Sequence, residues 1–226
     1  MNSILALFNT RWVFPVAFAT NTFSVTALIL WAGLSGDPEM ATDIAVIQAS
    51  TLALFYSFSG NARNLVLNAR GAFSLEALLS LRLVLVVLLA PLALVLAWPV
   101  VGGVTGVVVA ILVRRVGEWL VELTLSAAER DGDLAEARSY LVGQMLTFPA
   151  VLATMLVGTN AALAGLAIWA VVPLFHFFRS APALDSLPTG LAGWRQLLPQ
   201  FGSTAVIGVS VYVFRLLLVA IVGKAL

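Results

Sequence analysis

Cysteine is absent from this chain and histidine occurs once. No disulfide framework can form, and no Cys/His metal site can be assembled. Neither a metal nor a cofactor is expected. Charge is scarce as well. Asp, Glu, Lys and Arg make up 10% of the 226 residues, against about 25% in a soluble domain. So few charged groups cannot cover the surface of a water-soluble globule of this length. The net charge of +1 gives no reason to expect a nucleic-acid partner. A cleavable leader is not expected either: the first apolar run lacks a basic start and a small-residue cleavage site, and is long enough to span a membrane.

What the chain does have is apolar surface. Hydrophobic residues make up 61% of it, and the mean hydropathy is +1.04. A spanning helix needs about 20 mostly apolar residues. The hydropathy pattern predicts an all-α, polytopic membrane helix bundle with about seven spans. These lie near 12–34, 43–68, 76–98, 103–127, 139–158, 161–178 and 201–222. Thr42 or Asp43 is expected to cap the second. Tryptophans at or near span ends, such as Trp12, Trp31 and Trp98, fit an interfacial belt. The implied organisation is a six-helix lobe over 1–178, a cytoplasmic linker over 179–200 and a seventh helix over 201–226. Within the linker, Leu187, Leu191, Trp194 and Leu198 recur at helical spacing, as in a short amphipathic surface helix; a plain linker is the other reading.

Arginine placement orients the bundle. Arg11, Arg63, Arg70, Arg130, Arg138, Arg179 and Arg195 all fall at one set of span ends, whereas 35–42, 99–102 and 158–160 contain no Lys or Arg. The positive-inside rule then puts the N-terminus in the cytoplasm.

The anomaly is the stretch RRVGEWLVE, Arg114 to Glu122, inside the fourth span. At about 1.5 Å per residue, Arg114 falls near mid-membrane, Glu118 about two-thirds of the way in and Glu122 near the inner edge. Arg114, Arg115, Glu118 and Glu122 share an arc of roughly 100°. Val113, Val116, Leu120 and Leu123 lie opposite, a side that lipid can take. Each central charge costs about 2.5–3.5 kcal/mol of insertion and each apolar residue returns about 0.3–0.6. The charged face must therefore be buried in the bundle or wetted. Arg82, about 9 Å from the inner edge of the third span, matches Glu118 in depth, so an Arg82–Glu118 pair is expected.

Two readings fit these charges: ion pairs that lock helices together, or a hydrophilic cavity for a polar or anionic substrate, which intramembrane charge favours. Adjacent arginines suit phosphate. Asn61 and Arg63, in GNARN at the inner end of the second span, fit a cavity mouth, although Arg63 fits an orientation-setting interfacial arginine better. Arg215, about two-thirds of the way out along the seventh span, needs a distant partner or water. His176 is placed near the inner interface, and Gln144 and Asn160 are read as packing or turn residues. Pro15, Pro91, Pro149 and Pro173 are candidate kinks. Enzyme signatures fail. DGDLAEAR (Asp131 to Arg138) begins like the DGxxAR of CDP-alcohol phosphotransferases, but Glu136 stands at the arginine position and no GxxxDxxxD follows.

Three stretches carry a family resemblance: RRVGEWLVELTLSAAERDGD, FSGNARNLVLNARG and FGSTAVIGVSVYVFRLLLVAIVGKAL. They resemble the fourth helix and its following loop, the end of the second helix, and the seventh helix of bacterial polysaccharide-repeat-unit flippases, in the multidrug/oligosaccharidyl-lipid/polysaccharide exporter superfamily. The resemblance implies a location in the bacterial inner membrane and a polyprenyl-diphosphate oligosaccharide as substrate. It implies a cationic cavity lined by Arg114, Arg115, Arg82 and Arg215, with Glu118 and Glu122 as the candidates for ion coupling. A full member has about twice this length, so the lobe is expected to work with a second lobe or a second copy. A scaffold subunit and a drug or ion exporter are the alternatives.

Overall fold

The computed structural model describes residues 12–68, 74–180, 197–199, 201–208 and 210. They are helical, with no strand among them. In chain order the helices are α1 (Val13–Leu34), α2 (Pro38–Ser57), α3 (Ala62–Asn68), α4 (Leu75–Val101), α5 (Gly106–Asp131), α6 (Leu134–Met155) and α7 (Thr159–Ser180). Residues 201–208 are helical as well.

Local chemistry sets the helix starts. Asp37 Oδ1 accepts from Met40 N at 2.9 Å with Pro38 at the first helical position, so α2 begins a turn earlier than the expected cap at Thr42 or Asp43. Ser74 caps α4 through Ala77 N, and Thr105 caps α5 through Val108 N. Each side-chain oxygen satisfies one of the free N–H groups of a helix start. The gap between the expected spans 103–127 and 139–158 shrinks to a tight corner. Gly132, at φ 76°, ends α5, and Asp133 Oδ1 starts α6 by accepting from Ala135 N at 3.0 Å. Only glycine takes that backbone conformation without a Cβ clash.

Polar contacts at both ends show that the long helices run up and down. Arg63 after α2 meets Glu129 near the end of α5, and Arg179 near the end of α7 meets Glu136 at the start of α6. At the opposite end, Thr105 at the start of α5 donates to Asp43 early in α2, and Trp31 late in α1 donates to the Leu152 carbonyl late in α6. α5 sits in the middle, touching α2, α3, α4, α6 and α7. Gly117 lets α7 come close: a Cβ there would lie 2.9 Å from the Leu174 nitrogen.

Three helices are long and apolar enough to cross a membrane, α1, α4 and α7; the pair α2 and α3, bent by 42° at a short break, would make a fourth if read as one broken span. α5 and α6 match them in length, not in composition, so the expected seven spans are not reached on length and hydropathy alone. Most of the proposed seventh span, and most of the linker with Leu187, Leu191 and Trp194, lies outside the described residues. The outward faces are consistent with a multi-pass membrane protein: Val87, Leu88 and Val95 on α4, and Ile168, Phe175 and Phe178 on α7, are all exposed. Contiguous exposed apolar surface of this kind marks a membrane or a partner.

One expectation about faces is overturned. Leu120 and Leu123 do not look at lipid; they are buried at 2% and 0% exposure, because neighbours surround α5. Trp119 and Trp169 are core residues, at 3% and 0%, whereas Trp12 and Trp98 are exposed near helix ends.

Candidate functional site

The charges of α5 divide between a sealed network and a cavity wall. Arg114 points into the bundle and is 1% exposed. Its Nε donates to Glu118 Oε1 at 2.7 Å, one helical turn along. Its Nη2 donates to Gln144 Oε1 on α6 at 2.7 Å and to Asn21 Oδ1 on α1 at 3.4 Å. Its Nη1 donates to the Trp169 carbonyl on α7 at 3.0 Å, and the guanidinium lies 4.1 Å over the Trp169 ring. The backbone explains why that carbonyl is free. Pro173, four residues on, has no N–H to give it. The proline that the sequence marks only as a candidate kink supplies an acceptor for a buried cation.

Arg82 is the second sealed cation, 0% exposed. It pairs with Glu122 at 3.0 Å, donates to the Trp119 carbonyl and stacks over the Trp119 ring at 4.6 Å. The expected partner was Glu118. The shift to Glu122 is one helical turn: a depth counted along each helix by itself does not fix how the two helices are offset against each other. Glu118 is in any case taken, by Arg114 on one oxygen and by Arg115 on the other.

In front of this network lies a cavity of about 450 Å³. Phe18, Asn21 and Thr22 of α1, Phe55, Tyr56 and Ser59 around the end of α2, and Asn61, Arg63 and Asn64 line it. Arg115, Glu118, Trp119 and Glu122 of α5 form the facing wall, and Thr204 closes one side. Of the residues singled out in the sequence, Arg115, Glu118, Glu122, Asn61 and Arg63 thus meet on one surface. Arg114 and Arg82 are not on that surface; they stand behind it. Arg215 lies outside the described residues.

The cavity's cations differ in how far they are neutralised. Arg63 is held by Glu129 through three hydrogen bonds of 2.8–3.2 Å and stacks on Phe18 at 4.9 Å. Among the described residues Arg115 has one polar partner, Nη1 to Glu118 Oε2 at 3.4 Å, and that carboxylate lies closer to Arg114. Arg115 is therefore the least compensated cation on the wall.

Sequence reasoning missed Asn21 and Tyr140, and assigned Gln144 to packing. Tyr140 donates to Asn21 Oδ1 at 2.6 Å. The available signal was depth. Asn21 lies about 13 Å into α1 at 1.5 Å per residue, level with the α5 charges it serves. His176, placed at the interface, is 4% exposed, with Nδ1 3.7 Å from Glu136. Neither a family model, nor a curated protein, nor a solved structure matches this chain.

Proposed function

We propose that this chain is a multi-pass lobe of a flippase-type transporter, which moves a polyprenyl-diphosphate-linked oligosaccharide across the bacterial inner membrane for surface polysaccharide synthesis. It works with a second lobe or a second copy, and carries out no covalent chemistry. The observation that supports the reading is Arg115: an under-neutralised guanidinium lining a cavity that Asn61 and Asn64 also line. A guanidinium stays charged and offers planar paired donors, which suits a diphosphate. The sealed pairs of Arg114 and Arg82 then serve to hold α5 in place rather than to touch substrate.

In this reading α5 and α6 also cross the bilayer, at about 39 and 33 Å of helix, with the charges of α5 shielded by its neighbours. The cavity lies toward the end that carries Arg63, Arg130 and Arg179. The positive-inside rule assigns that end to the cytoplasm, so substrate enters from the inner leaflet.

A scaffold reading has one observation in its favour: Arg82 and Arg114 are buried and engaged, as structural ion pairs would be. Export assays separate the two. Arg115→Gln is expected to accumulate in the membrane at the normal level yet abolish surface glycan. Normal glycan in that variant, or in cells lacking the chain, would overturn the flippase reading; the latter result would favour a drug or ion exporter.

A further inference from the structure

We propose that Asn21 is a fixed hydrogen-bond donor on the cavity wall, which acts with Arg115 to select a ligand that presents phosphate oxygens. The proposal rests on the reading of the cavity as a diphosphate site, and adds a specificity residue to it.

Orientation is the core of the argument. A side-chain amide is ambiguous until its neighbours define it. Here the neighbour is Arg114, whose Nη2 lies 3.4 Å from the Asn21 oxygen. A guanidinium has donors only, so the atom facing it is Oδ1. The second lone pair of that oxygen takes the Tyr140 hydroxyl at 2.6 Å. With both acceptor sites occupied by buried groups, the amide cannot turn over. Its Nδ2 has no hydrogen-bond partner among the described residues and is not sealed off, while Asn21 itself lines the cavity. Two N–H bonds of set polarity are left for whatever enters.

Arg115 adds to this. Its Nη2 also has no hydrogen-bond partner among the described residues, and it is not among the sealed atoms. Both oxygens of Glu118 are engaged by arginines, and the half-buried carboxylate, Glu122, lies one turn farther along with Arg82. The Asn21 side of the cavity is therefore rich in donors and poor in free acceptors. An oxygen anion fits there, and an amine does not.

The test uses the full chain in lipid nanodiscs and two probes with one tail, farnesyl diphosphate and farnesol. Asn21→Asp retains an oxygen for Arg114 and Tyr140 but replaces the donor with an acceptor. Thr22→Asp places the same charge one residue along the same wall. Asn21→Leu removes the donor without adding charge, and Arg114 Nη2 retains Gln144. The diphosphate should bind wild type more tightly than farnesol does. Asn21→Asp should weaken diphosphate binding at least about tenfold more than Thr22→Asp, and Asn21→Leu should weaken it about tenfold, the range for a hydrogen bond to a charged group. Farnesol binding should not change. If Asn21→Asp matches Thr22→Asp, or Asn21→Leu matches wild type, Asn21 is not a selecting donor. If wild type binds both probes alike, the diphosphate reading fails first and this proposal with it. Should Asn21→Asp fail to fold, Asn21→Leu decides.

Discussion

Three arginines on two neighbouring helices have two different fates, and the difference lies in their partners. Arg114 has four hydrogen-bond contacts drawn from four helices. Removing it would strand Glu118, 4% exposed, with one long contact to Arg115. Breaking a buried pair from one side costs about 3–5 kcal/mol, so Arg114→Gln should lower unfolding stability in detergent by that amount. Arg115→Gln, which breaks a single 3.4 Å contact and leaves Glu118 its shorter bond to Arg114, should cost clearly less than Arg114→Gln. Equal losses in the two variants would contradict the division between sealed network and cavity wall. Arg82→Gln should cost less than Arg114→Gln, since the Trp119 carbonyl would lose its buried donor but Glu122, at 28% side-chain exposure, is open to the cavity.

Helices α2 and α3 meet at a strained joint. Gly60 has φ 62° and Asn61 φ 53°, a region that residues with a Cβ rarely enter. The joint lies against Phe201, which occupies the space a Cβ on Gly60 would need. Asparagine tolerates the left-handed region better than most residues. α3 is then held to the end of α5 by the Arg63–Glu129 pair, whose side chains are 36% and 19% exposed. Such a pair adds little stability, but it sets where a short helix rests beside the cavity. Glu129→Gln should therefore leave thermal stability within about 1 kcal/mol and speed maleimide labelling of Asn64→Cys several-fold. Unchanged labelling would mean that α3 is held by its packing alone. At the α5–α7 contact the constraint is steric. Gly117→Val places branched carbons against the Leu174 backbone and should destabilise by about 1–3 kcal/mol, read from the same detergent melts.

For the bundle as a unit, the absence of cysteine makes topology directly measurable. Ser35→Cys and Ala135→Cys sit at opposite ends of the up-and-down helices, both exposed. With the arginine-bearing end in the cytoplasm, a membrane-impermeant maleimide should label Ser35→Cys in intact spheroplasts and Ala135→Cys only after permeabilisation. The reverse pattern would invert the proposed entry side of the cavity. The same result bears on α5. It carries more charge than a lone spanning helix tolerates, so it can cross only in the company of the helices around it.

Composition and hydropathy made the helical class legible, and the apolar runs located α1, α4 and α7 to within a few residues. These properties are local: a run of apolar residues buries or exposes itself with little reference to distant parts of the chain. The RRVGEWLVE stretch was visible as an anomaly for the same reason. Its consequences were not, because they depend on which side chains meet across helices. Whether Arg82 pairs with Glu118 or Glu122 turned on how α4 and α5 are offset along their axes. Whether Arg114 faces a cavity or a sealed network turned on Asn21, Gln144 and the Trp169 carbonyl, contributed by α1, α6 and α7. A single sequence marks each of these as a polar group or a proline in an apolar helix. Packing brings them within about 3 Å of one guanidinium, and so leaves Arg115 as the less compensated cation at the cavity.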